Sequence, residues 1–349
     1  MKIIIEDGFS KIQKTGIGQY TLMIENLLQK SGYDIVNIDK PFLSKVNNKI
    51  LRRFLYNLWL NTIFLIKLLL IKDTVIVFCT NYALPIFKLS SIKFIPVIHD
   101  LCMFKFPELS SKLINRYEKS NVKNAIKKAD KIITVSNTIK KEIIEEFDIS
   151  GEKICVVWNS CSASLKEPEK ISFEFLHNRY NIANKKYILS VATNNKRKNL
   201  SLLVNSFNKI SEINDEIKLV LVGNNNNLYS NPNIIITGYI NDSELECLYK
   251  HALIYVFPSL YEGFGIPMLD AQNFNIPVLC SNIPVFREVG GSSVEYFDLE
   301  TANLYDKIIN IINNENLIKQ LVEKGQENLK RFSLTNINKQ LNNVLNNIS

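Results

Sequence analysis

Short apolar runs rich in Ile and Val alternate with helix-like stretches along almost the whole chain, and this alternation restricts the possible folds strongly. Neighbouring parallel strands need a crossover connection, which is usually a helix. Strands covered by helices on both faces are continuously apolar, as most of these runs are. The sequence therefore predicts an α/β protein with parallel sheets. The predicted strands of the first half are Lys2–Ile5, Asp34–Ile38, Thr74–Cys79, Phe94–Ile98, Lys131–Val135 and Ile154–Val157.

A second series of the same kind begins near residue 186. The length of 349 residues suits two domains better than one core. We predict two doubly wound, Rossmann-like domains over residues 1–165 and 186–332, joined by a linker over 166–185. Apolar residues at helical spacing predict a last helix within 333–349. The strands predicted for the second domain are Tyr187–Ala192, Lys218–Val222, Ile234–Thr237, Ile254–Phe257 and Val278–Cys280.

The net charge of +8 comes wholly from the first half of the chain. Residues 1–165 contain 24 Lys and Arg against 15 Asp and Glu, whereas residues 166–349 contain 18 against 19. Such an excess favours anionic partners: nucleic acid, acidic lipid head groups or phosphorylated substrates. Scattered lysines that keep a protein soluble would give the same balance.

The cysteines and the N-terminus indicate the compartment. The six cysteines include no Cys-x-x-Cys pair, and several lie in strand-like runs, so we expect buried free thiols in a reducing compartment. The first residues resemble a strand, because their apolar run is too short for a signal peptide. We expect a cytoplasmic protein.

The segment Phe54–Ile71 is long and apolar but contains Asn57, Asn61 and Lys67. These polar residues argue against an ordinary membrane span. Three interpretations remain: a helix packed in the domain core, an amphipathic helix on a membrane surface, and a span.

Ligands bind beyond the carboxyl ends of strands in open parallel sheets, so polar residues there are candidates for a site. Gly16 and Gly18 precede a predicted helix, where free amide groups favour an anion, although an ordinary tight turn would use the same glycines. His99 follows the strand Phe94–Ile98, and its imidazole could exchange hydrogen bonds with a substrate hydroxyl. A histidine with a purely structural role is the alternative.

Three consecutive cations, Lys196, Arg197 and Lys198, separate a predicted strand from a predicted helix. Cations at the start of a helix oppose its dipole, and a bound diphosphate would remove that mismatch. The alternative is a solvated basic surface.

The segment Glu262–Asp270 reads Glu-Gly-Phe-Gly-Ile-Pro-Met-Leu-Asp and follows another predicted strand. Gly263 and Gly265 would let backbone amides approach a phosphate, and the two carboxylates could bind hydroxyl groups at two ends of one ligand. A capping acid followed by a solvated Asp is the alternative.

The sequence contains no Asp-x-Asp and no His/Cys cluster with metal-ligand spacing. We therefore predict neither a metal nor another cofactor. Arg197, Lys198 and helix N-termini would have to balance the charge of a diphosphate.

The segment Pro258–Pro267 resembles the signature of retaining GT-B glycosyltransferases of family four, and Glu262 and Asp270 stand at the ends of the family's Glu-x7-Glu motif. Further matches occur in the family's order at Thr15–Tyr20, His99–Leu101, Pro107–Glu108, Ala129–Ser136, Arg197–Leu200 and Phe332–Ser333.

The resemblance implies a GT-B fold, with two Rossmann-like domains facing across a cleft and the last helix returning to the N-terminal domain. It also implies a role for each matched residue. His99, Arg197, Lys198 and Glu262 are the implied catalytic groups. Arg197 and Lys198 would bind the donor diphosphate, Glu262 and His99 the transferred sugar, the amides around Gly263, Phe264 and Gly265 the phosphates, Asp270 the ribose, and Gly16 and Gly18 the donor phosphates and acceptor.

Three departures from the family pattern stand out. Asp270 replaces the commoner Glu, Ser160-Cys161 replaces Asn-Gly, and Ala192-Thr193 replaces a Gly-Arg that many relatives carry. The shorter Asp270 side chain weakens the implied ribose contact, and one phosphate-binding Arg is missing.

We predict a retaining, metal-independent hexosyltransferase of bacterial surface polysaccharide or lipopolysaccharide synthesis. GDP-mannose is the first expectation for the donor and a UDP-hexose the second, with a lipid-linked or oligosaccharide acceptor. The partners would include an anionic membrane surface on the inner face of the cell membrane, as a peripheral contact, but no nucleic acid. A GT-B-shaped nucleotide-sugar epimerase and a non-catalytic scaffold remain alternatives.

Overall fold

The computed structural model describes residues 2–8, 16–36, 38, 40, 43, 46, 48–71, 75–162, 171–193, 195–223, 229–301 and 303–348. The chain divides into two compact units: Met1–Asn159 with Leu334–Ser349, and Ser160–Ser333. Each unit contains a six-stranded sheet whose named strands all pair in parallel. The predicted α/β class with two Rossmann-like domains is confirmed.

The sheet of the first unit has the strand order β2-β1-β3-β4-β5-β6. Its central strands β3 and β4 are apolar at nearly every position because helices and loops cover both faces. The last helix of the chain belongs to this unit. The elements are β1 (Lys2–Glu6), α1 (Gly16–Lys30), β2 (Asp34–Val36), α2 (Lys49–Asn61), α3 (Ile63–Leu69), β3 (Val75–Cys79), β4 (Ile92–Ile98), α4 (Cys102–Lys105), α5 (Lys112–Lys128), β5 (Ile132–Thr134), α6 (Asn137–Phe147) and β6 (Ile154–Val156), with the last helix spanning Leu334–Asn346.

The sheet of the second unit has the order β12-β11-β10-β7-β8-β9. Its core lies between the sheet and the helices. Leu203 and Phe207, both in the helix Leu200–Ile213, are among the buried side chains of this core. The elements are α7 (Phe173–Tyr180), β7 (Tyr187–Val191), α8 (Leu200–Ile213), β8 (Lys218–Val222), β9 (Ile234–Gly238), α9 (Asp242–His251), β10 (Ile254–Phe257), α10 (Ile266–Asn273), β11 (Val278–Ser281), α11 (Pro284–Gly290), β12 (Glu295–Phe297), α12 (Leu304–Ile312) and α13 (Glu315–Arg331), and the last helix of the chain is α14 (Leu334–Asn346).

The predicted linker over 166–185 is partly helical. Residues 173–180 form α7, whose first turn is capped by the Ser172 hydroxyl accepting from the amide of Phe175. The residues 163–170 lie outside the described part of the chain. The eight-residue helix was missed because its apolar residues are too few to give a clear periodicity.

The apolar segment 54–71 forms parts of two helices, α2 and α3, instead of one. At the junction, the side-chain amide of Asn61 donates to the Asn57 carbonyl at 2.8 Å, and the Thr62 hydroxyl donates to the Leu58 carbonyl at 2.6 Å. Such local bonds compete with the helical ladder and break it here. In the described part of the chain, none of the helices combines the length and the apolar character that crossing a bilayer requires.

Helix α14 is anchored within the first unit. The Gln340 side chain accepts a hydrogen bond from the amide of Trp158 at 3.0 Å, and Ser31 at the end of α1 donates to Asn338 at 3.3 Å. Its buried residues are Ile337, Leu341, Val344 and Leu345, at the helical spacing that predicted it.

Candidate functional site

In the second unit, the connections run in opposite directions from β7, so the order of the sheet reverses between β7 and β10. Ligands of open parallel sheets bind at this kind of switch point, beyond the carboxyl ends of the two strands. The pairing of β7 with β10 brings the loop after β7 against the loop after β10. The cations 196–198 and the acidic segment that starts at Glu262 therefore come together, although 64 residues separate Lys198 from Glu262 in sequence.

The three cations form a single turn of 3-10 helix that ends at Asn199. The Asn195 side chain caps this turn by accepting from the amide of Arg197 at 2.9 Å. Asn199 adopts the left-handed conformation, with φ of 51°, which Asn tolerates better than most residues. The Arg197 carbonyl accepts from the amide of Leu260 at 2.8 Å and so fixes the turn to the opposite loop.

Glu262 is buried among donors. Arg197 Nη1 donates to Glu262 Oε2 at 2.7 Å, and Lys198 Nζ donates to Oε1 at 2.6 Å. The Ser259 hydroxyl donates to the same Oε1 at 2.7 Å, while Arg197 also reaches the Tyr261 carbonyl at 2.7 Å. The two predicted diphosphate ligands are thus brought together with the predicted sugar ligand.

Electrostatics keep this carboxylate ionised. Burial by itself raises the pKa of Glu262, but the charges of Lys198 and Arg197, together with hydrogen bonds from Lys198 and Ser259, outweigh it and lower the pKa to about 2. Two cations and one anion leave one excess positive charge, so the cluster can attract a polyanion such as a diphosphate.

The glycines after Glu262 lie at the start of α10. Gly265 has φ of 127°, a conformation that side chains with a Cβ rarely adopt, and an added Cβ would lie 3.2 Å from the Phe286 ring. Phe264 is buried edge-on against Phe332, with 5.5 Å between ring centroids. Gly263 is also buried, and the amides of this segment precede a helix N-terminus, which favours an anion.

Asp270 lies in α10 and is buried. Its Oδ1 accepts from the Ser162 amide at 2.6 Å and its Oδ2 from the Ser162 hydroxyl at 2.9 Å. Burial raises the pKa of Asp270 to about 6, although the two bonds from Ser162 act in the opposite direction. Both carboxylate oxygens are therefore engaged by Ser162, and the ribose contact of Asp270 stays a prediction.

The first unit has its own switch point between β1 and β3. His99, just after β4, makes a hydrogen bond of 2.8 Å between Nε2 and the carbonyl of Thr80, the residue that follows β3. A carbonyl can only accept, so Nε2 carries the proton and Nδ1 of the neutral ring is left as an acceptor. Burial lowers the pKa of His99, against the hydrogen bond to Thr80 and the charge of Asp100, so the neutral ring dominates near pH 7.

The glycines Gly16 and Gly18 lie in the first turn of α1. The next turn is tied to the sheet: Thr21 Oγ1 donates to Thr80 Oγ1 at 2.8 Å, and the Tyr20 ring meets His99 edge-on at 5.1 Å between centroids. Thr80, the residue that follows β3, therefore orients both His99 and α1. Residues 9–15, including Thr15 of the quoted motif, lie outside the described residues.

Several polar residues of these sites were not singled out from the sequence. Ser259 and Ser162 hold the two predicted carboxylates, and the buried Glu6 at the end of β1 accepts from Lys40 at 2.9 Å and from Tyr56 at 3.0 Å. Ser259 could have been found, since it stands three residues before Glu262. The contacts of Ser162 and Lys40 span 108 and 34 residues and have no local signal.

No three His, Cys, Asp or Glu side chains within the described ranges lie close enough together to hold a metal ion. The six cysteines are free, as expected; Cys79, Cys161, Cys247 and Cys280 are buried as predicted, whereas Cys102 and Cys155 are partly exposed. Metal independence stays a prediction.

Comparison with known proteins agrees with this geometry. A model described as Glycosyltransferase Family 4 matches residues 15–164, and a model described as Glycosyl transferases group 1 matches residues 172–328, so that together they span most of the chain. The chain belongs to the family-four GT-B glycosyltransferases. The match assigns one model to each Rossmann-like unit.

Individual relatives are named for mannosyl transfer. The chain is 25% identical over 334 residues to the O-antigen chain mannosyltransferase RfbU of Salmonella typhimurium, covering 91% of this chain and 86% of the relative. It is 26% identical to O-antigen chain mannosyltransferase B of Escherichia coli, with 72% and 69% covered. The fold also matches the structure of Anabaena Alr3699/HepE in complex with UDP and glucose, with a TM-score of 0.70, 14% identity, and 99% and 98% of the two chains covered. These similarities support glycosyl transfer in O-antigen or lipopolysaccharide synthesis.

Proposed function

We propose that this glycosyltransferase moves mannose from GDP-mannose, with retention and without a metal, to a lipid-linked or oligosaccharide acceptor of surface polysaccharide synthesis. The observation that carries the proposal is the cluster of Arg197, Lys198 and Glu262 at the switch point of the second sheet. Two relatives named as O-antigen mannosyltransferases support mannose as the sugar.

In the proposed reaction, the two cations stabilise the negative charge that develops on the leaving diphosphate. As the bond between the sugar and the diphosphate breaks, negative charge accumulates on the leaving group, and fixed cations stabilise it most in a water-poor site. Arg197 and Lys198 already hold defined positions because Glu262 and the Tyr261 carbonyl orient them. The donor therefore meets a prearranged pair of cations.

Retention is proposed by substitution on the front face. The acceptor hydroxyl attacks from the side that the nucleotide leaves, through an oxocarbenium-like state, and the departing diphosphate takes the acceptor proton. Glu262 has both oxygens occupied by donors and a low pKa, so it serves as a fixed charge beside the sugar. His99, with Nδ1 as an acceptor, is assigned to a hydroxyl of the transferred sugar.

A thermal-shift panel of GDP, UDP, ADP and TDP tests the donor class, since a nucleotide that binds only the folded protein raises its melting temperature. We expect the largest shift with GDP. The Lys198→Ala variant should lose most of that shift, whereas Lys196→Ala, in the same turn but exposed, is the matched control and should keep it. A shift with UDP alone would replace GDP-mannose by a UDP-hexose; the structure of Anabaena HepE is a complex with UDP and glucose.

Product analysis tests the requirement for an acceptor, the independence from a metal and the retention of configuration. Transfer from GDP-mannose should require the acceptor, continue in EDTA, and give a product with the anomeric configuration of the donor by NMR. Turnover of a nucleotide sugar without any acceptor would favour the epimerase instead. Full biological activity of Lys198→Ala would support a non-catalytic scaffold and contradict the proposal.

A further inference from the structure

Helix α10 is short and depends on a neighbouring helix for its position. It follows Gly263–Gly265, a segment that we call the phosphate loop. Because α10 has only eight residues, its own hydrogen bonds stabilise it little: isolated helices shorter than about 12 residues are marginal in water. The direction of its first turn, and of the loop amides before it, is therefore set by the elements that pack against it. Helix α13 is one of these elements.

Gln272, near the end of α10, is buried and uses both polar atoms of its side chain. Its Nε2 donates to the Ser293 hydroxyl at 2.7 Å, and its Oε1 accepts from Nδ2 of Asn328 at 3.0 Å. The Gln272 carbonyl accepts from the side chain of Gln326 at 2.6 Å. An added Cβ on Gly325 would lie 3.1 Å from Gln272 Cγ, so the two helices approach closely here. These contacts fix the end of α10 to α13.

Asn328 joins a third helix to this pair. Its Nδ2 also donates to the Val289 carbonyl at 3.0 Å, and its Oδ1 accepts from Nη1 of Arg331 at 2.8 Å. Nη2 of Arg331 donates to the Glu288 carbonyl at 3.0 Å. Both carbonyls belong to the last turn of α11, where the helix itself supplies no donors for them. Helix α13 therefore ties the ends of α10 and α11 together.

Phe332, the residue that ends α13, contacts the phosphate loop directly. Its buried ring meets the Phe264 ring edge-on at 5.5 Å between centroids. The guanidinium carbon of Arg331 lies 4.9 Å from the centre of the Phe332 ring. The other glycine side of the loop is bounded by α11, because an added Cβ on Gly265 would lie 3.2 Å from the Phe286 ring. Both ends of the loop are therefore held by elements that α13 joins.

The buried polar groups between these helices restrict them to one arrangement. Apolar side chains of the same shape would also pack α10 on α13, and such replacements are often nearly neutral in stability. A network in which each buried polar group is bonded instead makes the packing rigid and unique. A unique arrangement matters here because backbone amides stabilise the charge of a phosphate only when they point at it.

We propose that four residues, which we call the frame, position the phosphate loop for the donor diphosphate: Gln272, Asn328, Arg331 and Phe332. The Phe332 ring sets the orientation of Phe264 and, with it, the direction of the loop amides. The three polar residues hold α10 so that its first turn stays in line with those amides. This role rests on the proposed function, because the donor of that reaction carries the phosphates that the loop amides would bind.

Calorimetric titration with GDP and with guanosine tests the frame. Phe332→Leu removes the ring that contacts Phe264, so GDP should bind about tenfold more weakly, whereas guanosine, which carries no phosphate, should bind as it does to the parent. Phe207→Leu is the matched control, since it removes a buried ring from the core of the same unit and should leave both affinities unchanged. If the parent prefers UDP, then UDP and uridine replace GDP and guanosine.

Hydrogen exchange, measured without any nucleotide, provides a second test. Asn328→Leu removes the bonds to Gln272 and to the Val289 carbonyl, so the amides of residues 263–270 should exchange about tenfold faster while those of β7 and β8 keep their rates. The control is Asn208→Leu, which removes a side-chain bond of 3.0 Å elsewhere in the unit and should leave the exchange of 263–270 unchanged.

Arg331→Gln keeps the frame testable if the larger changes prevent folding. The residue is exposed, so the unit should still fold, but its bonds to the last turn of α11 are lost. Exchange of the phosphate loop should rise, and GDP should bind about threefold more weakly. Lys319→Gln, also exposed on α13, loses the same charge and should behave as the parent does.

Three outcomes would overturn the frame. They are an equal fall of GDP and guanosine affinity in Phe332→Leu, a rise in exchange that spreads evenly over the strands of the unit, and unchanged exchange of 263–270 in both Asn328→Leu and Arg331→Gln. A parent that binds neither GDP nor UDP would contradict the proposed function, and hydrogen exchange would still decide whether the frame holds the loop.

Discussion

Replacing Glu262 by Gln keeps the size of the side chain and removes its charge, leaving Arg197 and Lys198 side by side. The carboxylate accepts from Arg197, Lys198 and Ser259 at 2.7, 2.6 and 2.7 Å and is 9% exposed. Removing one partner of a buried ion pair costs about 3–5 kcal/mol. The fall of the Glu262 pKa from 4.5 to about 2 corresponds to about 3 kcal/mol at pH 7. We expect Glu262→Gln to lower the free energy of unfolding of the second unit by about 3 kcal/mol.

That loss should appear as a fall of about 6–12 °C in the melting transition of this unit. The pKa of Glu262 is lower in the folded state than in the unfolded one. Its stabilisation is therefore complete above the unfolded value of 4.5 and disappears as the pH falls toward about 2. The difference in stability between the parent and Glu262→Gln should shrink over that range.

The same substitution should strengthen the binding of a free nucleoside diphosphate. Without Glu262, the charge of the cluster rises from +1 to +2, and we expect about tenfold tighter binding of GDP or UDP in a site that is partly screened by solvent. Transfer should still fall, mainly through kcat, because the fixed charge beside the sugar is lost. Nucleotide affinity should therefore rise while kcat falls.

The matched control is Glu216→Gln. Glu216 accepts from Lys186 at 2.7 Å in the same unit, but this pair is exposed, so its loss should leave melting and nucleotide binding unchanged. The measurements are urea and thermal melts at several pH values and calorimetric titration with GDP and UDP. If Glu262→Gln were as stable as the parent at pH 7 and bound nucleotides no more tightly, the description of this cluster would be wrong.

Three further predictions concern other residues of the two sites. Asp270→Ala should raise the donor KM more than it lowers kcat, and an unchanged donor KM of this variant in steady-state kinetics would refute the prediction. In the parent protein, the donor KM should rise as the pH falls below about 6, because Asp270 then takes up a proton despite its bonds from Ser162. His99→Gln can still donate to the Thr80 carbonyl and should lose less than tenfold in kcat, against about 100-fold for His99→Ala, and equal losses would contradict the assigned geometry. Thr21→Val should lower stability by about 1–3 kcal/mol in urea unfolding, because it removes the bond to the buried Thr80 hydroxyl. Thr21→Ser keeps the hydroxyl and should lose only about 1 kcal/mol, for its buried methyl group; a larger loss in Thr21→Ser than in Thr21→Val would refute this.

Local patterns in the sequence predicted most elements closely. The strands 218–222 and 254–257 have the predicted bounds, because an apolar run is visible within a few residues. Short or weakly apolar elements were not singled out. The three-residue strand β12 and the helix α7 are examples, since neither offers enough residues to establish a period.

Contacts between distant residues could not be predicted in this way. The sequence indicated Glu262 as a ligand of the sugar, and the structure adds that both of its oxygens are occupied by Arg197 and Lys198. The bond from Ser162 to Asp270 spans 108 residues and opposes the rise in pKa that burial causes. The exposed apolar side chains of α2 and α3, such as Phe54 and Ile66, were visible only as part of one long apolar segment, because which side of a helix faces the core depends on the sheet it packs against.

By itself, the sequence determined the alternation of strands and helices, the two-unit organisation, the family motifs and the identity of the charged residues at strand ends. These features depend on periodicity and residue type over short stretches of chain. Only the tertiary structure decided which loops meet, because the order β12-β11-β10-β7-β8-β9 is set by crossovers and packing and places the loop after β7 beside the loop after β10. That adjacency joins Arg197 and Lys198 to Glu262, and burial there turns three separate charges into one coupled cluster.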